Sequence, residues 1–407
     1  MPPSSDTSSP DTSSTSTSSD AAPLPLTGVR VIDLTRILAG PFCTQLLADL
    51  GAEVIKIESP DGGDPLREQG VKVDGLSWYF ANFNRNKQSV VLDLRTAQGM
   101  ADLVELLRTA DVLVENFRPD VLDKMGLSQE RLKEINASLV VCGISGFGRT
   151  GPYALRPSFD FIAQAMSGYM SLNGEEAGPP MRTALPLSDL IGGLYAALGI
   201  VAGLQSRRSL GHGQHVGVSL LGGLMSLFAF HSSDYLASGN MPARTGNDHP
   251  IRAPYGLYQA SDGPIAIAPS TEVTYRRLVS ALGIEHIFSD PRFADNATRM
   301  DNRAPLRVAI ETVTRTKSQT HWIEVLNAAG VPCGPMLTVP QALEDPQVVH
   351  EQMIIDVPHP ARGTVRMSGF PLKFSETPLS VRRPAPELGA DTEAVLGELT
   401  APRDTPS

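Results

Sequence analysis

The stretch VRVIDLTRILAGPFCTQLLADLGAEVIKIE, Val29 to Glu58, decides the fold. VRVIDL is β-branched and apolar and reads as a strand. TRILAGP is a turn, FCTQLLADLG a short helix closed by Gly51, and EVIKIE a second buried strand. Together they make one βαβ unit whose loop opens at the strand's C-terminal edge, where open α/β sheets bind ligands. A dinucleotide fold carries G-x-G-x-x-G in that loop, and here only Gly40 and Pro41 stand there. The layout suggests a nucleotide-shaped ligand, but the NAD fingerprint is missing. Glu58, which would suit a ribose hydroxyl in a dinucleotide fold, loses that reading with it.

The pattern continues outward from this unit. SVVLDL (Ser89 to Leu94), ADVLVEN ending at Asn116, and SLVVCGISG with Gly143 and Gly146 at its exit read as strands. TAQGMADLVELLRTA and RPDVLDKMG read as helical segments between them. This alternation predicts an α/β fold, a doubly wound parallel sheet, whose strand exits gather at Leu38, Leu92, Asn116 and Gly146. PLSDLIGGLYAALGIVAGLQ predicts an apolar helix, HVGVSL a further strand, and GGLMSLFAFHSSDYLAS one long helix, with a linker helix assigned to 226–246. YQASDGPIAIAPS predicts two short strands round an Asp-Gly turn. A smaller α+β domain is placed at 247–330, flanked by a large domain at 26–225 and a return segment at 331–400.

Composition bounds the function. The chain has 407 residues and a formal net charge of −10, which does not favour general nucleic-acid binding. Cys43, Cys142 and Cys333 are far apart with no C-x-x-C pair, and read as reduced, buried thiols. The longest apolar run, LIGGLYAALGIVAGL, is Gly-broken and shorter than the ~20 residues of a membrane span. Residues 1–25 form a Ser/Thr/Pro-rich stretch without Lys, Arg or an apolar core, expected to be a disordered tail rather than a targeting peptide; 401–407 form a second tail. The expected location is cytoplasmic.

Several residues carry candidate chemistry. Asp189 opens its helix; it reads either as a cap or as a carboxylate nucleophile that the helix N-terminus keeps ionised. Ile191-Gly192-Gly193 behind it would leave the helix face bare for a bulky thioester. Asn116, Phe117 and Arg118 sit at a strand exit and suit an adenine edge, a stacking face and a phosphate, or else simply end the strand at Pro119. Lys124 and Arg156 are phosphate partners or solvated cations. His212 and His215 flank a turn without a third ligand, so no metal site is expected. No G-x-S-x-G elbow or Walker loop appears.

Taken together, DLTRILAGPFCTQLLADLGAEVIKIESP, NRNKQSVVLDL, DVLVENFRPDVLDKMG, GFGRTGPYALRPSFDFIAQAMSG, PLSDLIGGLYAALG and GHGQHVGVSL resemble the class III CoA-transferases. The resemblance spans Leu26 to Leu396. It implies that Asp189 is the nucleophile, and that coenzyme A meets Leu38, Ala39, Leu92, Asp93, Leu94, Arg95, Asn116, Phe117, Arg118, Lys124, Arg156, Pro157, Ser158 and Phe159. It implies an interlocked homodimer, with a Rossmann-like large domain built from both chain ends. Acyl-CoA and carboxylic acids would be the substrates, with no metal, nucleic acid or membrane partner. Ser59 departs from the formyl-CoA transferases, which have Arg after the second strand. Their Gly-rich flap is absent too; RTGNDHPIRAPYG takes its place, as in the succinyl-CoA-dependent branch.

The implied chemistry is a series of acyl transfers. Asp189 attacks the donor thioester to give a mixed anhydride, the thiolate returns to form an aspartyl-CoA thioester, and the acceptor carboxylate repeats the sequence in reverse. Backbone N–H groups near Gly192 and in the TGND loop are candidate oxyanion donors. Arg36 and Arg252 are candidates for a second carboxylate on a dicarboxylate acid such as succinate, with Gln69, Gly246 and Asn247 in the same pocket. The runner-up, α-methylacyl-CoA racemase, needs a His where this chain has Phe159, and phenylalanine cannot shuttle a proton. A non-catalytic CoA-binding protein is the third reading.

Overall fold

The computed structural model describes residues 22–400, so most of the expected N-terminal tail and all of 401–407 lie outside the described residues. The opening stretch forms β1 (Arg30–Asp33), α1 (Ala39–Asp49) and β2 (Glu53–Glu58). Helix α1 begins three residues before the predicted start. Pro41 falls in its first turn, where a missing N–H costs nothing. β3 (Lys87–Val91), β4 (Val112–Glu115), β5 (Val140–Ser145) and β6 (His215–Ser219) complete a six-stranded sheet. Its order is β3-β2-β1-β4-β5-β6, and every pairing is parallel. The order reverses between β1 and β4, so the sheet has its ligand crevice at their C-terminal ends.

Alternate side chains along each strand supply two cores. Ile32, Ile55 and Leu113 point to one face and meet Leu103, Leu106 and Leu107 of α2 (Ala97–Thr109). Val31, Val54 and Val112 point to the other and meet α1 and α4 (Leu187–Leu210) through Cys43, Leu47, Ala196 and Ile200. Between α2 and α4 lies α3 (Asp160–Met166), whose place matters for the site. Thr96 caps α2 by accepting the Gly99 N–H, which ends the preceding strand early and frees Leu92 to Arg95 as a loop.

Helix α4 corrects the reading of its apolar run: with 24 residues it is long and apolar enough to cross a bilayer. It lies instead along the sheet, because glycines let it approach closely. A Cβ on Gly193 would sit 2.7 Å from the Ala39 carbonyl oxygen, and one on Gly203 would sit 3.0 Å from Val140. The glycines therefore serve helix packing, and Gly192, covered by Leu220, is buried. They do not bare a face for substrate. Gly193→Ala is expected to cost ~1–3 kcal/mol, because the atom it meets is backbone. Thermal melting should show the loss, and an unchanged melting temperature would refute this packing role.

The rest of the chain forms satellite structure. β7 (Gly256–Gln259), β8 (Pro264–Ile267) and β9 (Cys333–Pro335) make an antiparallel sheet with its own core of Ile265, Leu278, Trp322 and Leu326. The single helix expected over 222–238 is two, Leu220–Met225 and Phe230–Ser238, parted at Ala229 with φ 48°. The hairpin β10 (Ile354–His359) and β11 (Gly363–Ser368) packs Val357, Val365 and Met367 on Phe80. Phe80 belongs to Trp78–Asn84, a helix the sequence reading did not find. The C-terminal helix Thr392–Thr400 returns to the first sheet, where Asp391 accepts the Ser89 N–H and Val395 joins the α2 core.

Candidate active site

A cleft of about 870 Å³ opens at the strand-order reversal. Its walls come from four of the predicted segments: Leu38 and Ala39, Leu92 to Arg95, Asn116 to Arg118, and Arg156 to Phe159. Arg36 and Asp189 also line it. Asn116 ties the two central loops together: its side chain accepts the Arg36 N–H at 2.9 Å and donates to the Arg36 carbonyl at 2.8 Å. The Arg36 guanidinium lies 5.2 Å over the Phe117 ring. Phe159 presents an exposed hydrocarbon ring, with no proton to move.

Other predicted residues lie elsewhere. Lys124 is exposed and pairs with Asp120 at 2.5 Å. Gln69 uses its carbonyl to hold Ser77. The Gly246 N–H donates to the Gly174 carbonyl, and Asn247 lies against Gly256. Arg252 is on an exposed loop beside Asp248, Arg303 and Arg307. None of these five lines the cleft of this chain.

Beneath the loop from Thr35 to Pro41 sits a buried ionic network that sequence reading missed. Asp33, at the end of β1, accepts from the Thr35 and Thr44 hydroxyls and pairs with Lys87 at 3.2 Å. Lys56 donates to the Thr35 carbonyl at 2.8 Å and pairs with Asp64 at 2.9 Å. Asp64 accepts the Ile37 N–H, and Lys87 also donates to the Pro41 carbonyl. Three backbone groups of the cleft loop are thus held by charges with no solvent access. Ile37 is held with φ 69°, a region costly for a β-branched residue and sustained only by such bracing. Burial opposes the Asp33 carboxylate, yet Lys87 and Lys56 hold its pKa below the ordinary range. Burial pulls Lys87 down to about 8 despite Asp33.

The sequence pattern of the family described as "CoA-transferase family III" matches residues 26–392. The chain belongs to that family. Among its relatives, an acetyl-CoA:oxalate CoA-transferase from Acetobacter aceti is 41% identical, the alignment covering 93% of this chain and 96% of that one. A succinate–glutarate CoA-transferase from Agrobacterium fabrum is 39% identical over 92% and 96%. The crystal structure of a CAIB/BAIF family protein from Brucella suis superposes with a TM-score of 0.83 at 39% identity, covering 93% of this chain and all of that one.

In this transferase three carboxylates line the cleft. Glu58 is paired with Arg67 at 2.6 Å and Asp93 with Arg95 at 2.7 Å. Asp189 alone has no cationic partner among the described residues. Burial, and then the neighbouring Asp160 charge, push its pKa up to about 7. Desolvation thus opposes the ionised form that a helix N-terminus favours. Asp160 fixes the start of α4, accepting the Ser188 N–H at 2.8 Å and its hydroxyl at 2.9 Å. Tyr79 is a further neighbour; burial and the Asp189 charge both raise its hydroxyl pKa. It sits on the unanticipated Trp78–Asn84 helix, so no sequence signal pointed to it.

Proposed function

We propose that Asp189 carries the acyl group, and then coenzyme A itself, as this transferase moves CoA from an acyl-CoA to a carboxylate. The unpaired state of Asp189 carries the reading, since a carboxylate already bound to a cation is a poor nucleophile. An Asp189 oxygen attacks the thioester carbonyl, the C–S bond breaks, and the thiolate leaves a mixed anhydride. The thiolate then attacks the aspartyl carbon and releases the donor acid. The acceptor carboxylate attacks this aspartyl thioester, and the thiolate finally takes the acceptor's acyl carbon, freeing Asp189. Phe117 and the cations Arg118 and Arg156 suit an adenine ring and phosphates, and the uncapped start of α1 at Leu38 suits an anion. Lys124 reaches CoA only if it leaves Asp120.

The nucleophile must be ionised, so kcat/KM for the acyl-CoA should rise with pH from 5.5 to about 7. Each unit below should cost tenfold. A flat profile from pH 5.5 to 8 would contradict this.

Relatives named for oxalate and for succinate and glutarate share dicarboxylate acids, and we assign the same class here, with a succinyl-CoA-like donor. Arg36 takes the distal carboxylate, because it lines the cleft and has no acidic partner. Arg36→Ala should raise the KM of a dicarboxylate acceptor ~10-fold or more and spare monocarboxylates. Equal effects on both would remove the assignment. Arg252, Gln69, Gly246 and Asn247 enter the pocket only through a partner subunit. The exposed apolar face of α4, with Leu194, Leu198 and Val201, supports the interlocked homodimer. We read 26–225 and 331–400, less the β9 segment, as the large domain, with β9 joining the small domain of 247–330, and the location as cytoplasmic.

A further inference from the structure

Glu115 ends β4 directly below the cleft wall formed by Asn116, Phe117 and Arg118, and the proposed chemistry does not use it. It is buried, 4% exposed, and one carboxyl oxygen accepts the Phe117 N–H at 2.8 Å. The other faces the neighbouring strand β5 at Gly143. A Cβ there would lie 2.6 Å from Glu115 Oε1 and 3.5 Å from His215 Nε2, so both side chains border the space that glycine leaves open without bonding to each other. His215 Nε2 is buried and has no hydrogen-bond partner. The ionisable groups facing Glu115 are His215 from β6, the Cys142 thiol of β5, and Arg149 from the loop after β5, which also approaches Asp123 at 4.0 Å.

We infer that Glu115 is a positioning residue for the Asn116–Arg118 wall, and that the charge of its carboxyl group, buried beneath that wall, couples coenzyme A binding to pH. The proposal rests on the cleft being the CoA site. A protonated Glu115 still accepts the Phe117 N–H and places no charge beneath the wall. Burial raises Glu115 to about 7 and lowers His215 to about 4, which keeps both neutral between those values. Above that window Glu115 ionises and places a buried negative charge under a wall meant for phosphates. Coenzyme A binding therefore weakens as pH rises through 7.

Glutamine copies the protonated acid, accepting from Phe117, and cannot ionise. The test measures the Kd of free coenzyme A at pH 6 and pH 8.5 for proteins carrying Asp189→Asn, which silences the other titrating carboxyl, with and without Glu115→Gln. Titration of the ligand's own phosphate is common to both. The ratio of Kd without to Kd with Glu115→Gln should be near one at pH 6 and at least threefold at pH 8.5. Calorimetry in two buffers at pH 7.5 should show proton uptake on binding that Glu115→Gln abolishes. Glu115→Ala should weaken binding at both pH values. A ratio of one at pH 8.5 together with equal proton uptake overturns the Glu115 proposal alone, whereas no binding by any of the proteins overturns it together with the reading of the cleft.

Discussion

Asp189→Ala or Asp189→Asn is expected to lower CoA transfer by about 10⁴-fold or more, because among the described residues no other unpaired carboxylate lines the cleft. Incubation with acyl-CoA and hydroxylamine should modify Asp189 in the parent protein, as read by mass, and leave both variants unmodified. Transfer at the parental rate would end the proposal of a covalent aspartyl intermediate. A second readout separates chemistry from damage. The folded pKa of Asp189, about 7, lies above the ordinary 3.8, so the native state holds a proton that the unfolded chain has released. Stability from this group is complete below pH 3.8 and is lost as pH rises through 7. Asparagine does not titrate, so Asp189→Asn should match the parent near pH 4 and exceed it by about 1–2 kcal/mol above pH 7, after allowing for partial solvent screening. A variant that is inactive yet more stable at pH 8 than at pH 4, relative to the parent, has lost a nucleophile and kept its fold.

The second large effect is expected at Lys87. Its ammonium is fully buried and holds Asp33, Asn84 and the Pro41 carbonyl. Lys87→Met removes one partner of a buried pair and leaves the Asp33 carboxylate with Lys56 as its remaining cation, at a cost of ~3–5 kcal/mol. Because the same network braces Ile37 and Pro41, the KM for acyl-CoA should rise along with the loss in denaturant midpoint. The double change of Lys87→Met with Asp33→Asn should recover part of the stability, since no uncompensated charge remains. A single variant as stable as the parent would show that the network carries no energetic weight.

Much of the architecture was legible locally. The six strands of the parallel sheet were anticipated within a few residues, because β-branched runs and helical periodicity are properties of short windows. The place of Asp189 at a helix start was legible for the same reason. Trp78–Asn84 was missed since seven residues are too few to show a helical period and its packing partners, Val357 and Met367, lie far along the chain. The buried charges of Asp33, Lys56, Asp64 and Lys87 were missed because such residues normally read as surface, and only their mutual pairing keeps them inside.

The sequence alone determined the βαβ start, the alternation that yields a parallel sheet, the strand exits that gather into one cleft, and the membership of a transferase family. These follow from local periodicity and from runs of residues read in order. Tertiary structure alone decided that Asp189 is desolvated, that Arg36 faces the cleft while Arg252 does not, and that the glycines of α4 serve packing. Each of those depends on what surrounds a side chain in space. Electrostatic and steric environments come from segments hundreds of residues apart, and no window of sequence contains them.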